Sequence, residues 1–381
     1  MSSLFDRYFD DSHRTLRTEV ARFVAAEIAP YADRWEEDAS FDVGLYRKAG
    51  AAGVLGPTFP TALGGGGGDV FHGIVAAEEL LKGGSTGTVA GLGSLEIALP
   101  PILALGDDAQ KQRFVPPVLR GEQIAALAIT EPGTGSDVAG VRTRAARDGD
   151  SYVITGSKTF ITSGVRADLV ITLARTSEDP HGGLTFFVVE RGMPGFTVSK
   201  ALKKTGWWAS DTAELSFDGV RVPLANRIGP EGSGFIALMQ NFENERLMLA
   251  IQGHALAERA LELARAYANE REAFGRKISK FQVIRHKLAD MATRTASAKA
   301  LTYAVAAEMK RGGSVVAEVA MAKNHAAEVA EFVCREAVQV YGGMGYMREA
   351  PVERLARDAR LLAIGGGTTE IMREIISKTM G

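Results

Sequence analysis

The sequence predicts a mainly α-helical α+β protein with helices at both ends and a β-rich part in the middle. Three observations lead to this prediction. Apolar residues recur at helical spacing over about the first 120 residues, short β-rich stretches with turn dipeptides follow, and long amphipathic patterns fill the rest of the chain. The predicted domains are residues 1–123, 124–231 and 232–381.

The first part, residues 1–123, is predicted to be helical. Leu16, Val20 and Val24 recur at helical spacing before Pro30 interrupts the pattern. The five consecutive glycines 64–68 predict a loop, because glycine weakens a helix at every position it occupies.

The middle part, residues 124–231, is predicted to be an antiparallel barrel or sandwich. Its short stretches rich in β-branched and aromatic residues are separated by the dipeptides Asp148-Gly149, Pro194-Gly195 and Asp218-Gly219. No helical pattern alternates with these stretches, which argues against a parallel sheet of βαβ units.

The last part, residues 232–381, is predicted to be an antiparallel bundle of helices. One long pattern carries Leu247, Ile251 and Leu256, a second begins near Ile284, and a third covers about 314–341. A short fourth helix is predicted to close the chain. Long amphipathic helices with short connections are typical of bundles.

Composition excludes several classes of function. The 44 basic and 46 acidic residues give a net charge of −2, which offers no electrostatic footprint for nucleic acid or an anionic membrane. The single cysteine, Cys334, excludes a disulfide within the chain and a multi-cysteine metal site, and no metal is predicted. No apolar run approaches the roughly 20 residues of a membrane span, and the first residues do not resemble a signal peptide. These features predict a cytoplasmic protein.

Four segments stand out as candidate binding sites. Residues 128–137 form a loop whose backbone N–H groups and hydroxyls suit the edge of a flat heterocycle, although a tight interdomain turn explains the loop equally well. Residues 339–346 end a helix with more glycine than a cap requires. Residues 364–370 open the last helix, with Thr368 as the predicted N-cap and a candidate phosphate site. Residues 271–276 offer the planar donor fork of Arg271.

Taken together, these segments resemble those of the acyl-CoA dehydrogenase family over essentially the whole chain. Thr130-Glu131-Pro132-Gly133-Thr134-Gly135-Ser136-Asp137 resembles the first family motif, and Gln339-x-x-Gly342-Gly343-x-Gly345-Tyr346 resembles the second. Lys204-x-Gly206-Trp207 and Phe217-Asp218-Gly219-Val220 resemble the middle domain. The resemblance implies an N-terminal helical domain, a middle antiparallel β-barrel and a C-terminal four-helix bundle.

The resemblance also implies FAD as cofactor and assigns residues to it. The following residues would bind FAD: Leu127, Ile129, Thr130, Gly135, Ser136, Phe160, Ile161, Thr162, Arg271, Phe274, Gln282, Gln339, Gly343, Thr368 and Glu370. Of these, Phe160, Ile161 and Thr162 would flank the isoalloxazine ring. Arg271, Phe274, Gln282, Gln339 and Gly343 would reach the FAD of a neighbouring subunit. Ser136 and Arg246 would contact the acyl-CoA.

The catalytic base is expected at Glu245. Many family members carry the base as the glutamate of a Tyr-Glu-Gly-Thr motif, but the matching position here is Gly366, which cannot accept a proton. The long-chain and isovaleryl-type branch carries it on the first bundle helix before an arginine, and Glu245-Arg246 matches that pattern. A glutamate on a helix is ordinarily a solvated carboxylate. The missing carboxylate at Gly366 favours catalysis instead.

The implied reaction is FAD-dependent α,β-dehydrogenation of an acyl-CoA thioester to the trans-2-enoyl-CoA. Electrons would pass to an electron-transferring flavoprotein, and the chain would form a homotetramer built as a dimer of dimers. Three alternatives remain open: a subunit of a heteromeric dehydrogenase, a dehydrogenase of carrier-protein-linked acyl groups, and a flavin oxidase on the same fold. Oxygen reactivity of the reduced flavin would identify an oxidase.

Overall fold

The fold is that of a computed structural model, which describes residues 4–380. The chain forms two compact units, each assembled from separate stretches of sequence. The first, which we call the helical unit, contains the residues up to Asp33, the stretch Asp69–Thr86 and the residues from Glu243 onward. The second, which we call the sheet unit, contains Arg34–Gly68 and Gly87–Phe242.

The chain before the first strand is helical, as the sequence predicts. Its α-helices within the described residues are α1 (Asp11–Glu27), α2 (Ala32–Glu37), α3 (Gly44–Ala51), α4 (Val70–Leu81), α5 (Thr86–Leu92), α6 (Leu95–Ala98), α7 (Pro100–Leu105) and α8 (Asp108–Leu119). Asp10, Asp69 and Asp107 cap α1, α4 and α8, each in a reciprocal capping box. Each cap supplies an acceptor for backbone N–H groups that have no partner inside the helix. Residues 64–68 lie in a loop, as predicted.

The strands form one eight-stranded sheet in the sheet unit. They are β1 (Ala125–Ala128), β2 (Arg144–Asp148), β3 (Ser151–Thr162), β4 (Leu169–Arg175), β5 (Leu184–Glu190), β6 (Phe196–Ala201), β7 (Thr212–Pro223) and β8 (Arg227–Ile228). Their order is β6-β7-β3-β2-β4-β5-β8, with β1 paired to β4. Apolar side chains from the strands, such as Ile154, Phe187 and Leu215, form the buried core of this sheet.

The prediction of a purely antiparallel sheet is wrong at two places. β1 pairs with β4 in parallel, and β2 meets β4 in parallel at Arg144 and Arg175. Turn dipeptides identify only strands joined by a hairpin, such as β2 and β3 around Asp148-Gly149. The pairing of β1 with β4 spans more than 40 residues and has no local sequence signal. No pairing between the end strands β6 and β8 is found in residues 4–380, so closure into a barrel stays a prediction.

Asp218-Gly219 is a bulge rather than the predicted turn between two strands. β7 runs without interruption through this dipeptide, and its register against β3 shifts between the pairs Ile154–Val220 and Gly156–Phe217. Gly219 has a φ of +64°, a conformation that glycine adopts without steric cost. A dipeptide that favours turns also favours a bulge, because both require positive φ.

After the sheet the chain is helical again, apart from a short hairpin. The helices are α9 (Gly234–Glu270), α10 (Gln282–Lys310), α11 (Val316–Tyr341), α12 (Pro351–Ala359) and α13 (Thr369–Ser377), and the hairpin strands are β9 (Glu272–Ala273) and β10 (Arg276–Lys277). In the helical unit α11 packs against α10, α12 and α13. The sequence interpretation of four helices missed α12, which begins with Pro351 in its first turn, where proline is tolerated.

We compared the described helices with the length and apolar composition of a membrane-spanning helix. None of them alone has both the length and the apolar composition of a membrane span. The pair Thr86–Leu92 and Leu95–Leu105, bent by 41° at the break, meets both criteria together by length and composition.

Candidate functional site

The residues predicted to bind FAD and substrate are divided between the two units. Those numbered from Leu127 to Thr162 lie in the sheet unit. Glu245, Arg246 and the predicted FAD contacts from Arg271 to Glu370 lie in the helical unit.

In the sheet unit, the β1–β2 loop (residues 129–143) is organised by a buried ion pair. Nζ of Lys158, on β3, donates to Oε1 of Glu131 at 2.9 Å and to the carbonyl oxygen of Ile129 at 2.8 Å. The Glu131 carboxylate also accepts from the backbone N–H groups of Arg142 at 2.7 Å and Thr143 at 2.9 Å. One carboxylate therefore joins both ends of the loop to the sheet.

The protonation states of this pair follow from burial and mutual attraction. Burial by itself would raise the pKa of Glu131, but the Lys158 ammonium and the N–H donors outweigh it, and the pKa is lowered. Burial lowers the pKa of Lys158 to about 8, against the opposing effect of Glu131. Both groups are charged at neutral pH, and the pair holds the β1–β2 loop in one conformation.

The loop presents open backbone at the predicted flavin positions. A Cβ added to Gly133 or Gly135 would meet no atom within 4 Å, and Ser136 is exposed. Leu127 and Ile129 are buried, while Thr130 is half-buried and accepts through its carbonyl from the N–H of Thr159 at 2.8 Å. The absence of side chains at these glycines lets a planar group approach the backbone closely.

Phe160 shows backbone strain within a strand. It has a φ of +61°, and the register of β3 against β7 shifts between Lys158 and Ile161 around it. As a result its ring is 67% exposed, whereas Ile161 is buried and Thr162 is half-buried. Such a conformation costs on the order of 1–3 kcal/mol in a residue other than glycine, and strain of this kind concentrates at binding sites.

In the helical unit, Glu245 and Arg246 lie on α9 beside the glycine turn (residues 365–367) that precedes α13. Gly366 and Gly367 have φ values of +63° and +98°. A Cβ added to Gly366 would lie 3.7 Å from Oε1 of Glu245, and it would overlap Cδ1 of Leu249. The carboxylate of Glu245 thus reaches the place from which a side chain at position 366 would extend.

Three side chains hold this turn and the start of α13. Nε of Arg246 donates to the carbonyl oxygen of Gly366 at 3.3 Å, and Nζ of Lys323, on α11, donates to that of Gly367 at 2.6 Å. Nδ2 of Asn324 donates to the carbonyl oxygen of Thr369 at 3.1 Å. Thr368 is the N-cap of α13, as the sequence predicts, with its side chain accepting from the N–H of Ile371.

Burial and two nearby cations act in opposite directions on the protonation of Glu245. Its side chain is partly accessible, yet burial raises its pKa, and the positive charges of Arg246 and Lys323 act in the opposite direction. Glu370, in the first turn of α13, is exposed, and hydrogen bonds from its own N–H and from Thr368 lower its pKa. The two glutamates therefore differ: burial raises the pKa of Glu245, whereas hydrogen bonds lower that of Glu370.

The residues predicted to reach a neighbouring subunit are exposed in this chain. The segment around the β9–β10 hairpin presents Arg271, Phe274 and Gln282, and the end of α11 presents Gln339 and Gly343. Phe274 is 95% exposed and has a φ of +52°. The ring of Phe274 is therefore accessible to another molecule.

In each of two clusters of histidines and carboxylates outside these segments, a lysine ammonium lies beside the carboxylates. In the first, Asp69 pairs with His13 at 3.0 Å and with Nζ of Lys310. In the second, Nζ of Lys299 lies 3.1 Å from Glu78 and 2.9 Å from Glu258, where a cation would otherwise be bound. The absence of a metal site stays a prediction.

The sequence interpretation missed two residues with roles in these sites. Lys158 shares the inward register of Tyr152 and Ile154, and Lys323 lies on the alanine-rich buried face of α11. A charged residue at an inward-facing position is the one signal that could have identified them. The partners of both, Glu131 and Gly367, cannot be read from the sequence.

Comparison with protein-family models gives three matches that together cover most of the chain. The model described as "Acyl-CoA dehydrogenase, N-terminal domain" matches residues 10–122, the "middle domain" model matches 126–220, and the "C-terminal domain" model matches 232–381.

Among curated proteins, an acyl-CoA dehydrogenase of Bacillus subtilis is 42% identical over 365 residues, which is 95% of this chain and 96% of the relative. The long-chain specific mitochondrial acyl-CoA dehydrogenase of Rattus norvegicus is 40% identical over 377 residues, covering 98% of this chain and 87% of the relative.

Solved structures show the same similarity. A protein described as a probable acyl CoA dehydrogenase of Mycobacterium abscessus is 50% identical with a TM-score of 0.97, covering 98% of this chain and 100% of that chain. A chain from a structure of the electron transferring flavoprotein of Acidaminococcus fermentans is 37% identical with a TM-score of 0.94, covering 98% of each. A glutaryl-CoA dehydrogenase of Mycobacterium smegmatis in complex with FADH2 is 28% identical with a TM-score of 0.93, covering 98% and 96%.

Proposed function

Because the chain belongs to the acyl-CoA dehydrogenase family, we propose that Glu245 is the base with which it oxidises an acyl-CoA thioester to the trans-2-enoyl-CoA. The protein is an FAD-dependent oxidoreductase of fatty acid metabolism. One observation carries the assignment of the base. The Oε1 atom of Glu245 lies 3.7 Å from the point where a Cβ on Gly366 would stand, at the position that holds the glutamate in other members.

The residues of the sheet unit fit FAD. The β1–β2 loop offers backbone N–H groups, the hydroxyls of Thr130 and Ser136, and glycines with free space on their Cβ side. These are the donors that the carbonyls and ring nitrogens of a flavin require. We assign Leu127, Ile129, Thr130, Gly135 and Ser136 to that contact.

Phe160, Ile161 and Thr162 are assigned to the same ring, with the strained backbone of Phe160 as support. Thr368 and Glu370 would hold FAD at the N-terminus of α13, where the Thr368 hydroxyl can donate or accept a hydrogen bond and the Glu370 carboxylate can accept one from a hydroxyl group. FAD, when bound, supplies the acceptor for the two electrons released at the β-carbon.

The chain's own residues perform the acid–base part of the reaction. The α C–H of a thioester is a weak acid, so its removal requires a carboxylate whose pKa lies near the working pH. Burial raises the pKa of Glu245 toward that range, and bound substrate would exclude more water and raise it further. Arg246, next to the base and fixed to the carbonyl oxygen of Gly366, is proposed to contact the acyl-CoA.

An electron acceptor and an assembly are proposed with this function. The electron acceptor is an electron-transferring flavoprotein, in keeping with the similarity to a chain from a structure of that protein. The exposed residues Arg271, Phe274, Gln282, Gln339 and Gly343 are proposed to reach the FAD of a neighbouring subunit in a homotetramer built as a dimer of dimers.

The compartment proposed for the protein is the cytoplasm. The boundaries 1–123, 124–231 and 232–381 are retained as a domain proposal, supported by the extents of the three family models.

The function is tested by anaerobic bleaching of the flavin with a panel of acyl-CoA thioesters of different chain length and branching. A self-sufficient enzyme should bleach with at least one of them without any partner chain. Bleaching only after addition of a second protein would indicate a heteromeric enzyme. Bleaching only by carrier-protein thioesters, or rapid reoxidation by oxygen, would indicate the other two alternatives.

Removing Arg271 should weaken FAD binding. The substitution Arg271→Ala deletes a charge-assisted contact of roughly 1.5–3 kcal/mol, which corresponds to about a tenfold or greater rise in the dissociation constant. Flavin released on dilution is measured by fluorescence after ultrafiltration. Arg276→Ala is the matched control, because Arg276 is also exposed, lies in the hairpin that Arg271 precedes, and stacks over the ring of Phe281 at 4.2 Å. A wild-type protein that is monomeric yet fully loaded with flavin would disprove the shared site.

Moving the base to position 366 should require a third substitution. A side chain at Gly366 overlaps Leu249, and the φ of +63° adds a cost of roughly 1–2 kcal/mol for any L-residue. We therefore expect Glu245→Thr with Gly366→Glu to stay nearly inactive. Addition of Leu249→Ala should recover part of the flavin reduction and change the chain-length profile.

The profile is measured by stopped-flow reduction with the acyl-CoA panel, with Glu245→Thr, Leu249→Ala as the control that lacks a base. If the double variant already recovers as much activity as the triple variant, Leu249 does not restrict this position.

A further inference from the structure

The glycine turn is anchored by two adjacent residues of α11 that differ in charge. Lys323 donates to the carbonyl oxygen of Gly367 at 2.6 Å, and Asn324 donates to that of Thr369 at 3.1 Å. Both side chains are buried, and Lys323 is only 1% exposed. A neutral donor is sufficient for a carbonyl acceptor, as Asn324 demonstrates one residue away. The positive charge of Lys323 therefore requires another explanation.

A buried ammonium group is expensive without an anion nearby, since its desolvation costs several kcal/mol. The charged groups that act on Glu245 are Arg246, on its own helix, and Lys323, on α11. The glycine turn brings no charge of its own, and Glu370, on α13, acts on Lys323. Glu243, on α9, acts on Arg246. Lys323 is thus the one cation that a second element contributes to Glu245 among the described residues.

Burial shifts the pKa values of Glu245 and Lys323 in opposite directions. Burial raises the pKa of Glu245, and it lowers the pKa of Lys323 to about 8, with Arg246 contributing in the same direction. At neutral pH Lys323 is mostly protonated and favours the ionised form of Glu245. A protonated Glu245 could not accept the α-proton of a substrate.

We propose that Lys323 is a positioning residue for catalysis, which fixes the glycine turn against Glu245 and keeps the Glu245 carboxylate in its charged form. The proposal rests on the assignment of Glu245 as the base. It predicts that the charge of Lys323, and not its hydrogen bond alone, determines the lower pH limit of the reaction.

The first test is the pH dependence of anaerobic flavin reduction by a saturating acyl-CoA in the holoenzyme. Lys323→Gln keeps a donor and removes the charge, and it should move the acid limb of the profile upward by about one pH unit or more. Lys323→Arg should restore the limb to its wild-type position. Asn324→Ala is the matched control, because it removes a bond to the same turn without changing charge, and its limb should not move.

The second test measures stability instead of activity. The pKa of Glu245 is raised on folding, so its stability contribution is complete below the pKa of the unfolded chain and is lost as pH rises through the folded value. Without the charge of Lys323, the loss of stability on ionisation of Glu245 should be larger and should extend to higher pH. Glu245→Gln should therefore raise the melting temperature of the Lys323→Gln variant at pH 7 more than it raises that of the wild type.

The outcomes of these two tests distinguish a failure of the role of Lys323 from a failure of the proposed substrate or of Glu245 as the base. An unmoved acid limb in Lys323→Gln, an equal shift in Asn324→Ala, or equal effects of Glu245→Gln in both stability backgrounds would overturn the role of Lys323. A wild-type flavin that no acyl-CoA reduces would instead refute the proposed substrate. Rapid reduction in Glu245→Gln would refute the base, and the stability cycle would still measure the coupling of Lys323 to Glu245.

Discussion

Replacing Glu245 with Gln should slow the reduction of flavin by acyl-CoA at least about a hundredfold, because loss of a general base typically costs 10²–10⁴ in rate. The substitution retains the shape and hydrogen-bonding capacity of the side chain but cannot take a proton. FAD content and acyl-CoA binding should remain close to wild type. The rate is measured by anaerobic stopped-flow absorbance, and binding by the spectral change of the oxidised flavin.

Glu243→Gln is the control for this experiment. It removes a carboxylate from the same helix two residues earlier and should leave flavin reduction within a few-fold of wild type. If Glu245→Gln reduces its flavin within a few-fold of wild type, another residue removes the α-proton. The next carboxylate along the chain after the glycine turn is Glu370, which is exposed.

Replacing Lys158 with Met should lower the free energy of unfolding by about 3–5 kcal/mol, the usual cost of leaving one partner of a buried ion pair without the other. Glu131 would keep its bonds from the N–H groups of Arg142 and Thr143, but its charge would have no compensation. The β1–β2 loop should lose its fixed conformation, and FAD content should fall as well. Unfolding is measured by urea titration, and FAD by absorbance after gel filtration.

Two further variants show whether the effect comes from the pair. Glu131→Gln with Lys158→Met should be destabilised less than the sum of the single variants, with a coupling of about 0.5–3 kcal/mol. Arg144→Met breaks the exposed ion pair with Glu178 in the same unit and should cost no more than about 1 kcal/mol. A Lys158→Met variant as stable as Arg144→Met would show that the buried pair contributes nothing to the stability of the loop.

Motifs with a local mechanism can be read from the amino-acid sequence alone. The cap at Thr368 is an example, because a threonine side chain meets the N–H group three residues later in any helix that begins there. The hairpin at Asp148-Gly149 is another. The prediction of a turn at Asp218-Gly219 is wrong for a related reason, since a preference for positive φ is compatible with a bulge as well as with a turn.

By itself the sequence determined the order of a helical, a β-rich and a second helical part, the family to which the chain belongs, and the absence of a carboxylate at Gly366. These three features depend only on the identity of each residue and on the periodicity of residues that are close together in the chain.

The tertiary structure decided which distant residues meet. It paired β1 with β4, joined Lys158 to Glu131, and brought Lys323 to a turn more than 40 residues later in the chain. The physical reason lies in the energetics of burial. A lysine in a sequence is a solvated charge, and only the folded path of the chain determines which carboxylate or carbonyl oxygen compensates its desolvation.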